Sequence, residues 1–436
     1  MLYGRSYYRW RSALLAAQKN GAHIEDRIRQ DLIEILSDAL SKSEFYRSRV
    51  LLTDINDDNV FHSLARFPIL SREDLKQNAE HIAIKPLGKL SLVTTSGSTG
   101  APLQVWLDRD RGAREQAFIH HLWSRASFSP GDPRGVFRGI QIDNVDIAPL
   151  SWDPALRELH CSPFHLTDEH MLLYASRMAR DGIEYLHGYP SALTIFGRYL
   201  IRTNNPWRVN VRGIFPISEA MYDEQWRALS SSFPSAKILP FYGMSEKVAF
   251  GEPVADAEGY YDMNPLYGWT ELVDDAGQSI TTVGDYGRLI STGFISRGMP
   301  LIRYDTGDIA TLVALPSESN NWRLRVTGLS GRRKREFLVS NNGTLISMTA
   351  INIHSRNYMS MREFIFRQVV PGRATLLAVL AEGMDKNAAK AYLAEIAAKV
   401  GSGIIFELEL VSNLPAAARG KRRMIDQHLD LSKYDS

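Results

Sequence analysis

The sequence predicts an α/β protein in two parts. A large N-terminal domain combines mixed, largely parallel sheets covered by helices with a β subdomain, and a small α+β domain follows it. Three observations lead there. From about residue 90 to 240, short β-prone runs alternate with helical stretches. From about 260 to 330, strands follow one another with turns between. Beyond 337, an Asn-Gly turn, short apolar runs and one helical stretch make a compact α+β pattern.

The elements follow in order. The first residues carry positive charge and a very short apolar run, too broken for a signal peptide or a membrane span. Residues 24–41 place Ile24, Ile28, Leu32, Leu36 and Leu40 one turn apart, the stripe of a helix that buries one face. Runs at 90–95, 135–140, 211–215 and 236–239 read as strands, and 110–126, 168–181, 190–202 and 219–231 as helices. Such alternation predicts a largely parallel sheet, whose ligands bind in the loops beyond the strand C-termini. Runs at 287–292 and 322–327 read as strands of the β subdomain. Asn341-Asn342-Gly343 separates two apolar runs, which predicts a hairpin with positive φ at both central residues. Strands at 375–381 and 404–411 flank a helix at 387–400. The boundary falls near Gly331-Arg332, giving domains 1–331 and 332–436.

Composition narrows the function. The chain has 436 residues and a formal net charge of +2, so nothing points to nucleic acid or an anionic membrane surface. Its one cysteine, Cys161, rules out an internal disulfide framework or a cysteine-rich zinc site. A reduced, cytoplasmic setting and a soluble protein are expected.

The stretch Thr94-Thr95-Ser96-Gly97-Ser98-Thr99-Gly100-Ala101-Pro102 follows an apolar strand and alternates hydroxyls with glycines. Backbone N–H and side-chain O–H groups can there converge on one anion, and glycine permits close approach. It lacks the lysine and the spacing of a Walker A loop and is not a nucleophile elbow. A flexible Ser/Gly loop is the bland alternative.

This loop resembles the phosphate loop of the adenylate-forming superfamily, which includes acyl-CoA synthetases, firefly luciferase and peptide-synthetase adenylation domains. Four further segments stand in that family's order: Phe241-Tyr242-Gly243-Met244-Ser245-Glu246, Ile302-Arg303-Tyr304-Asp305-Thr306-Gly307-Asp308, Gly328-Leu329-Ser330-Gly331-Arg332, and Gly420-Lys421. The branch it most resembles is that of the phenylacetate–CoA ligases and their CapK-like, capsular-polysaccharide relatives. The segment Gly298 to Tyr304 resembles both, and the segments His187 to Leu193 and Gly343 to Ala350 resemble the latter.

The resemblance implies an enzyme that joins a small carboxylic acid to AMP from ATP, with pyrophosphate leaving, and then passes the acyl group on. It assigns the β- and γ-phosphates to Thr95, Ser96, Gly97, Ser98, Thr99 and Gly100. Ala101 stands where many relatives carry lysine, so one phosphate contact is missing. It makes Glu246 the Mg²⁺ ligand, with Gly243 and Ser245 beside the nucleotide, Tyr242 stacked on adenine or closing the acyl pocket, and Ser218-Glu219 against adenine. Asp308 is to accept hydrogen bonds from the ribose diol, and Arg332 to support the ribose or α-phosphate. Lys421, with Glu246 and Thr99 the catalytic set, is to span the substrate carboxylate and the α-phosphate, where charge builds in the transition state. Lys334 occupies the pivot position of a mobile C-terminal domain, although the segment after it departs from the phenylacetate ligases. Trp123, Phe137, Tyr189 and Ile217 are candidates for the acyl pocket.

Three acceptor readings remain open: CoA, an amine or hydroxyl on a sugar or other metabolite, and no turnover at all in a nucleotide-binding scaffold. A homodimer is expected by resemblance alone. Some relatives hold zinc through cysteines, which Cys161 by itself cannot do.

Overall fold

A computed structural model of the chain describes residues 3–19, 23–51, 54–95, 103–143, 145, 148–219, 221–255, 257–330, 337–347, 351, 357, 361–381, 384–414 and 425–434. The chain divides into two compact units. The first comprises Met1–Thr95, Leu103–Ser124 and Phe241–Arg332, the second Ser96–Pro102, Arg125–Pro240 and Arg333–Ser436.

In the first unit the predicted amphipathic helix spans Ile24–Lys42. It opens on Glu25 and Asp26, whose charges suit the positive end of the helix dipole. Ile28, Leu32, Ile35, Leu36 and Ala39 are buried, and Leu40 packs half-buried at the edge of the same core. The helix Arg72–Ile82 starts from a capping box in which Ser71 and Asp74 satisfy each other's backbone N–H groups. A helix not foreseen from sequence, Gly4–Lys19, runs before both. The β subdomain is a seven-stranded antiparallel sheet in the order Gly268–Val273, Tyr286–Gly293, Tyr304–Ala314, Leu324–Ser330, Tyr260–Met263, Phe250–Pro253, Tyr242–Gly243.

The strand before the glycine-rich loop, Ser91–Thr95, lies in no parallel sheet. It pairs antiparallel with Leu103–Leu107, from Ser91 opposite Leu107 to Thr95 opposite Leu103. The alternating burial of Leu103–Leu107 marks it as a half-buried strand.

The second unit carries the parallel sheet. Its order is Leu150–Asp153, Glu158–Cys161, Arg134–Phe137, Tyr185–Gly188, Gly213–Pro216, Lys237–Ile238, and only the edge strand Leu150–Asp153 runs antiparallel. Arg134–Phe137, Tyr185–Gly188 and Gly213–Pro216 are buried throughout, as strands covered on both faces must be. The helices Asp168–Arg180, Pro190–Arg202 and Asp223–Ser232 connect them. Thr167 caps the first through the N–H of His170, and proline opens the second, where its missing N–H costs nothing. Numbered along the chain, the five parallel strands stand in the order 2-1-3-4-5. The winding therefore reverses between Arg134–Phe137 and Tyr185–Gly188, and open sheets of this kind bind ligands beyond the C-terminal ends of the strands at such a reversal.

The same unit holds a four-stranded sheet, Ile405–Leu410, Arg373–Leu380, Met361–Val370, Ile425–Gln427, with the helix Lys386–Val400 capped by Asp385. The hairpin Phe337–Val339 to Leu345–Ser347 forms around Asn341-Asn342-Gly343 as expected, but not as a two-residue turn. Its loop runs over five residues, 340–344, and of these only Gly343 has positive φ, at 84°. The Ser340 Oγ accepts from the Thr344 N–H at 2.9 Å and stabilises the wider loop.

Candidate active site

The second and third motifs come together in the first unit. Tyr242 begins a short strand and Asp308 lies within Tyr304–Ala314. The Tyr242 hydroxyl donates to Asp308 Oδ2 at 2.7 Å. A second bond runs the opposite way between the same two segments: the Tyr304 hydroxyl donates to Glu246 Oε1 at 3.1 Å. Each segment thus offers a tyrosine and, four residues on, a carboxylate, and each tyrosine braces the other segment's carboxylate. Burial, then the neighbouring Asp308 charge, pushes the Tyr242 hydroxyl well above its ordinary pKa, so it stays a donor. Glu246 is buried, and its second oxygen takes no hydrogen bond from any described residue. Ser245 is half-buried and Gly243 exposed beside it.

Local chemistry shapes the Asp308 turn. Asp305 Oδ1 accepts the Gly307 N–H at 2.8 Å, and Thr306 Oγ1 accepts the Asp308 N–H at 3.1 Å while donating to the Leu289 carbonyl. Gly307 has φ of +76°, which glycine adopts without penalty. Arg288 pairs with Asp305 at 2.7 Å. The motif arginine itself, Arg303, is turned into the structure. It bonds Glu271 at 3.2 Å and the carbonyls of Ala65 and Phe67 at 3.0 and 3.1 Å.

Arg303, Lys247 and Ser218 are left-handed, with φ of 47°, 59° and 71°. For a residue with a Cβ this costs about 1–2 kcal/mol. Strain of this kind persists where the surroundings over-determine it, often at functional sites. Arg303 and Ser218 sit in segments singled out from the sequence, and Lys247 directly follows one.

In the second unit, residues of the winding reversal meet. The Tyr189 hydroxyl accepts the Gly139 N–H at 3.0 Å, and the Tyr189 N–H donates to the Phe137 carbonyl at 2.9 Å. The Ile217 N–H reaches the Gly188 carbonyl at 2.9 Å, and Glu219 Oε2 accepts the Ser191 N–H at 3.2 Å. Gly188 is required there: a Cβ would stand 2.3 Å from the Phe137 carbonyl oxygen. Tyr189, Ile217, Ser218 and Glu219 therefore share one end of the parallel sheet, the end where ligands of such sheets bind. Phe137 is fully buried against Phe196 and Tyr174, ring centroids 5.0 and 5.9 Å away, in the core beneath. Burial raises the Tyr189 hydroxyl pKa, and Glu219 adds to this.

Sequence reasoning missed Arg138, which follows the strand Arg134–Phe137, and Lys399, in the last turn of Lys386–Val400. Burial first, and the Arg138 charge second, lower the Lys399 ammonium to about 8. Trp123 lies in the first unit, 2 % exposed, with His120 5.6 Å away ring to ring. His120 in turn shares a 2.9 Å hydrogen bond with Tyr7 of the unforeseen N-terminal helix.

Ser96, Gly97, Ser98, Thr99, Gly100, Arg332, Lys334 and Lys421 lie outside the described residues, and Thr95 is described only as the end of its strand. Among the described residues no group of three or more metal-binding side chains occurs, and no helix is long and apolar enough to cross a membrane.

No family profile matches the chain. Individual relatives do. CapK of Staphylococcus aureus is 22% identical over 406 residues, covering 89% of this chain and 84% of that protein. The phenylacetate–coenzyme A ligase of Pseudomonas putida is 23% identical over 339 residues, 70% of this chain and 71% of the ligase. The Escherichia coli ligase of the same name is 23% identical and covers 68% of each chain. Among solved structures, 2-hydroxyisobutyryl-CoA ligase in the postadenylation state, in complex with R3-HIB-AMP, superposes with a TM-score of 0.52 at 16% identity, over 96% of this chain and 91% of its own. The same ligase with 2-HIB-AMP and CoA, in the thioesterification state, also gives 0.52. Over most of its length the chain is similar in sequence to CapK and to the phenylacetate–coenzyme A ligases, and in fold to 2-hydroxyisobutyryl-CoA ligase.

Proposed function

We propose that this protein activates a small carboxylic acid with ATP, forming an acyl-adenylate and pyrophosphate, and then transfers the acyl group to CoA. The observation that carries the proposal is the crossed pair of bonds, Tyr242 to Asp308 and Tyr304 to Glu246, which holds two carboxylates in set orientations, one on a strand and one in the turn after another strand of the same sheet. Asp308 takes the ribose diol, for which an acceptor-only carboxylate is suited. Glu246 has an oxygen left over to hold a cation, and magnesium prefers one or two carboxylates plus substrate phosphates. Bound there, magnesium would offset phosphate charge. The hydroxyls and N–H groups of residues 95–100 hold the outer phosphates, Ser218 and Glu219 border adenine, and Arg332 supports the ribose. Tyr189 and Ile217 border the acyl group, with Trp123 and Phe137 as further candidates. Lys421 attracts the carboxylate to the α-phosphorus and offsets the charge that builds as they join. Lys334 serves as the pivot of a mobile C-terminal domain beginning at 332. We place the protein in the cytoplasm, and expect a homodimer by resemblance.

A second acceptor reading is favoured by one observation: the similarity to CapK spans 89% of the chain, against 70% for the Pseudomonas ligase. On that reading an amine or hydroxyl of a sugar or polysaccharide precursor replaces CoA.

The test is acid-dependent pyrophosphate release from ATP across a panel of aryl, amino and sugar acids, with wild type and Lys421→Ala. The expected result is release with at least one acid, lost in the variant. Consumption of the free CoA thiol then separates the two acceptors. ATP binding with no release for any acid would leave a nucleotide-binding scaffold instead.

A further inference from the structure

The residue after Glu246 is a lysine, and the surrounding structure holds it in an unfavourable backbone conformation. Lys247 has φ of +59°, and its N–H closes a turn onto the Met244 carbonyl at 3.2 Å. Lysine has no intrinsic preference for this region, so the surroundings impose it. Two features do so. Below the turn, glycines make room for its backbone: a Cβ on Gly268 would stand 2.2 Å from the Val248 carbonyl oxygen, and one on Gly293 would stand 3.0 Å from the Lys247 carbonyl oxygen. Beside the turn, the Lys247 ammonium lies 2.7 and 2.8 Å from the two carboxylate oxygens of Glu115, on the helix Arg111–Trp123. Glu115 is itself fixed by the hydroxyl of Tyr267, at 3.2 Å, and Tyr267 is fully buried against Phe118 and Phe250.

The ammonium thus points to a protein carboxylate, and the left-handed turn it anchors ends directly after Glu246. On the other side Glu246 is held by Tyr304. We propose that Lys247, locked to Glu115, is a positioning residue that sets the orientation of Glu246 toward a divalent cation, and that it does not itself contact the nucleotide. The inference rests on the reading of Glu246 as the magnesium ligand. Partners of this kind, one step behind a metal ligand, alter metal affinity by about 10–100-fold when removed.

The experiment is calorimetric titration of ATP into the full chain over a series of Mg²⁺ concentrations, with thermal unfolding as the control for folding. Lys247→Met keeps the length of the side chain and loses the charge. It should raise the Mg²⁺ concentration for half-maximal ATP binding about tenfold, with ATP affinity at saturating Mg²⁺ unchanged. Glu115→Gln should move the Mg²⁺ dependence the same way, and the double variant should move it no further than the larger single change. Lys247→Arg, which keeps the ion pair, should stay close to wild type. If Lys247→Met does not fold, Glu115→Gln decides the matter by the same shift. An unchanged Mg²⁺ dependence in the folded variants overturns the inference. So does a collapse of ATP affinity at saturating Mg²⁺ in Lys247→Met but not in Glu115→Gln, since that would mark a direct phosphate contact. A wild type that binds ATP with Mg²⁺ while these variants match it removes the positioning role alone. A wild type that binds no ATP at any Mg²⁺ concentration removes the adenylation reading, and this inference with it.

Discussion

Tyr242 and Asp308, 66 residues apart in sequence, share a hydrogen bond of 2.7 Å in which the phenol donates to the carboxylate. The bond fixes one carboxylate oxygen and therefore the direction the group faces. On the proposed function that direction is toward the ribose. Asp308→Asn should raise the KM for ATP by roughly 10- to 100-fold, the worth of one or two hydrogen bonds to a charged acceptor, while the KM for the acid stays put. Wild type should use 2′-deoxy-ATP less well than ATP, and the variant should discriminate less. Tyr242→Phe should have a smaller effect on ATP and cost about 1–2 kcal/mol in urea unfolding, because it leaves a partly buried carboxylate short of a donor. Equal use of both nucleotides by wild type would remove the diol from the account of Asp308.

Gly188 ends the strand at which the winding of the parallel sheet reverses. A Cβ there would stand 2.3 Å from the Phe137 carbonyl oxygen and 2.7 Å from its Cβ, and neither neighbour is the free end of a flexible chain. Gly188→Ala must push the two strand ends apart. It should destabilise the protein by about 1–3 kcal/mol, the usual range for overpacking. The displaced loop carries Tyr189, so KM for the acid should rise more than KM for ATP. A variant with wild-type stability and kinetics would mean that the close approach of the two strand ends is neither tight nor used.

The success of the sequence reading and its omissions share a physical basis. Amphipathic period and strand–helix alternation are local signals, so Ile24–Lys42, Asp168–Arg180, Pro190–Arg202 and the buried strands Arg134–Phe137 and Gly213–Pro216 were legible, whereas the four-residue strand Tyr185–Gly188 was not. Met361–Val370 was not, although it lies inside the four-stranded sheet, because its run carries Arg362, Glu363, Arg367 and Gln368. Gln368 is wholly buried and satisfied by the Val339 backbone, at 2.7 and 2.8 Å, a compensation visible only once the hairpin is folded against it. The motifs placed Tyr242 and Asp308 in order along the chain, but their hydrogen bond, like that of Tyr304 to Glu246, depends on tertiary packing. Nothing about a lysine announces a left-handed turn, and nothing about Glu115 announces its partner 132 residues away.

Arg303 belongs to the aspartate motif by sequence, yet its side chain supports the fold. Its guanidinium meets Glu271 and two backbone carbonyls, and both partners of the ion pair are largely buried. Burial raises the Glu271 pKa and Arg303 opposes that rise. Arg303→Met would leave Glu271 without its cation, a loss of ~3 kcal/mol for a broken buried pair. Chemical denaturation should show that loss, and ATP affinity of the folded fraction should change less than twofold. A large loss of ATP affinity with stability intact would instead assign Arg303 to the nucleotide.

Lys399 links stability to pH. Burial, with the Arg138 charge as the second cause, lowers its ammonium from 10.5 to about 8. The unfolded chain keeps the ordinary value, so between about pH 8 and 10.5 the folded state binds fewer protons than the unfolded state. Stability must then rise with pH across that window, and the cost of the charged form is present in full below it. At 1.36 kcal/mol for each unit of displacement, and with allowance for solvent screening, that cost is roughly 2–3 kcal/mol. Lys399→Met should therefore stabilise the protein at pH 7 and flatten the rise between pH 8 and 10, when both proteins are unfolded in urea at a series of pH values. A Lys399 needed for an interaction of its charged form would produce the reverse, a variant that is less stable at pH 7 and converges on wild type as the pH is raised.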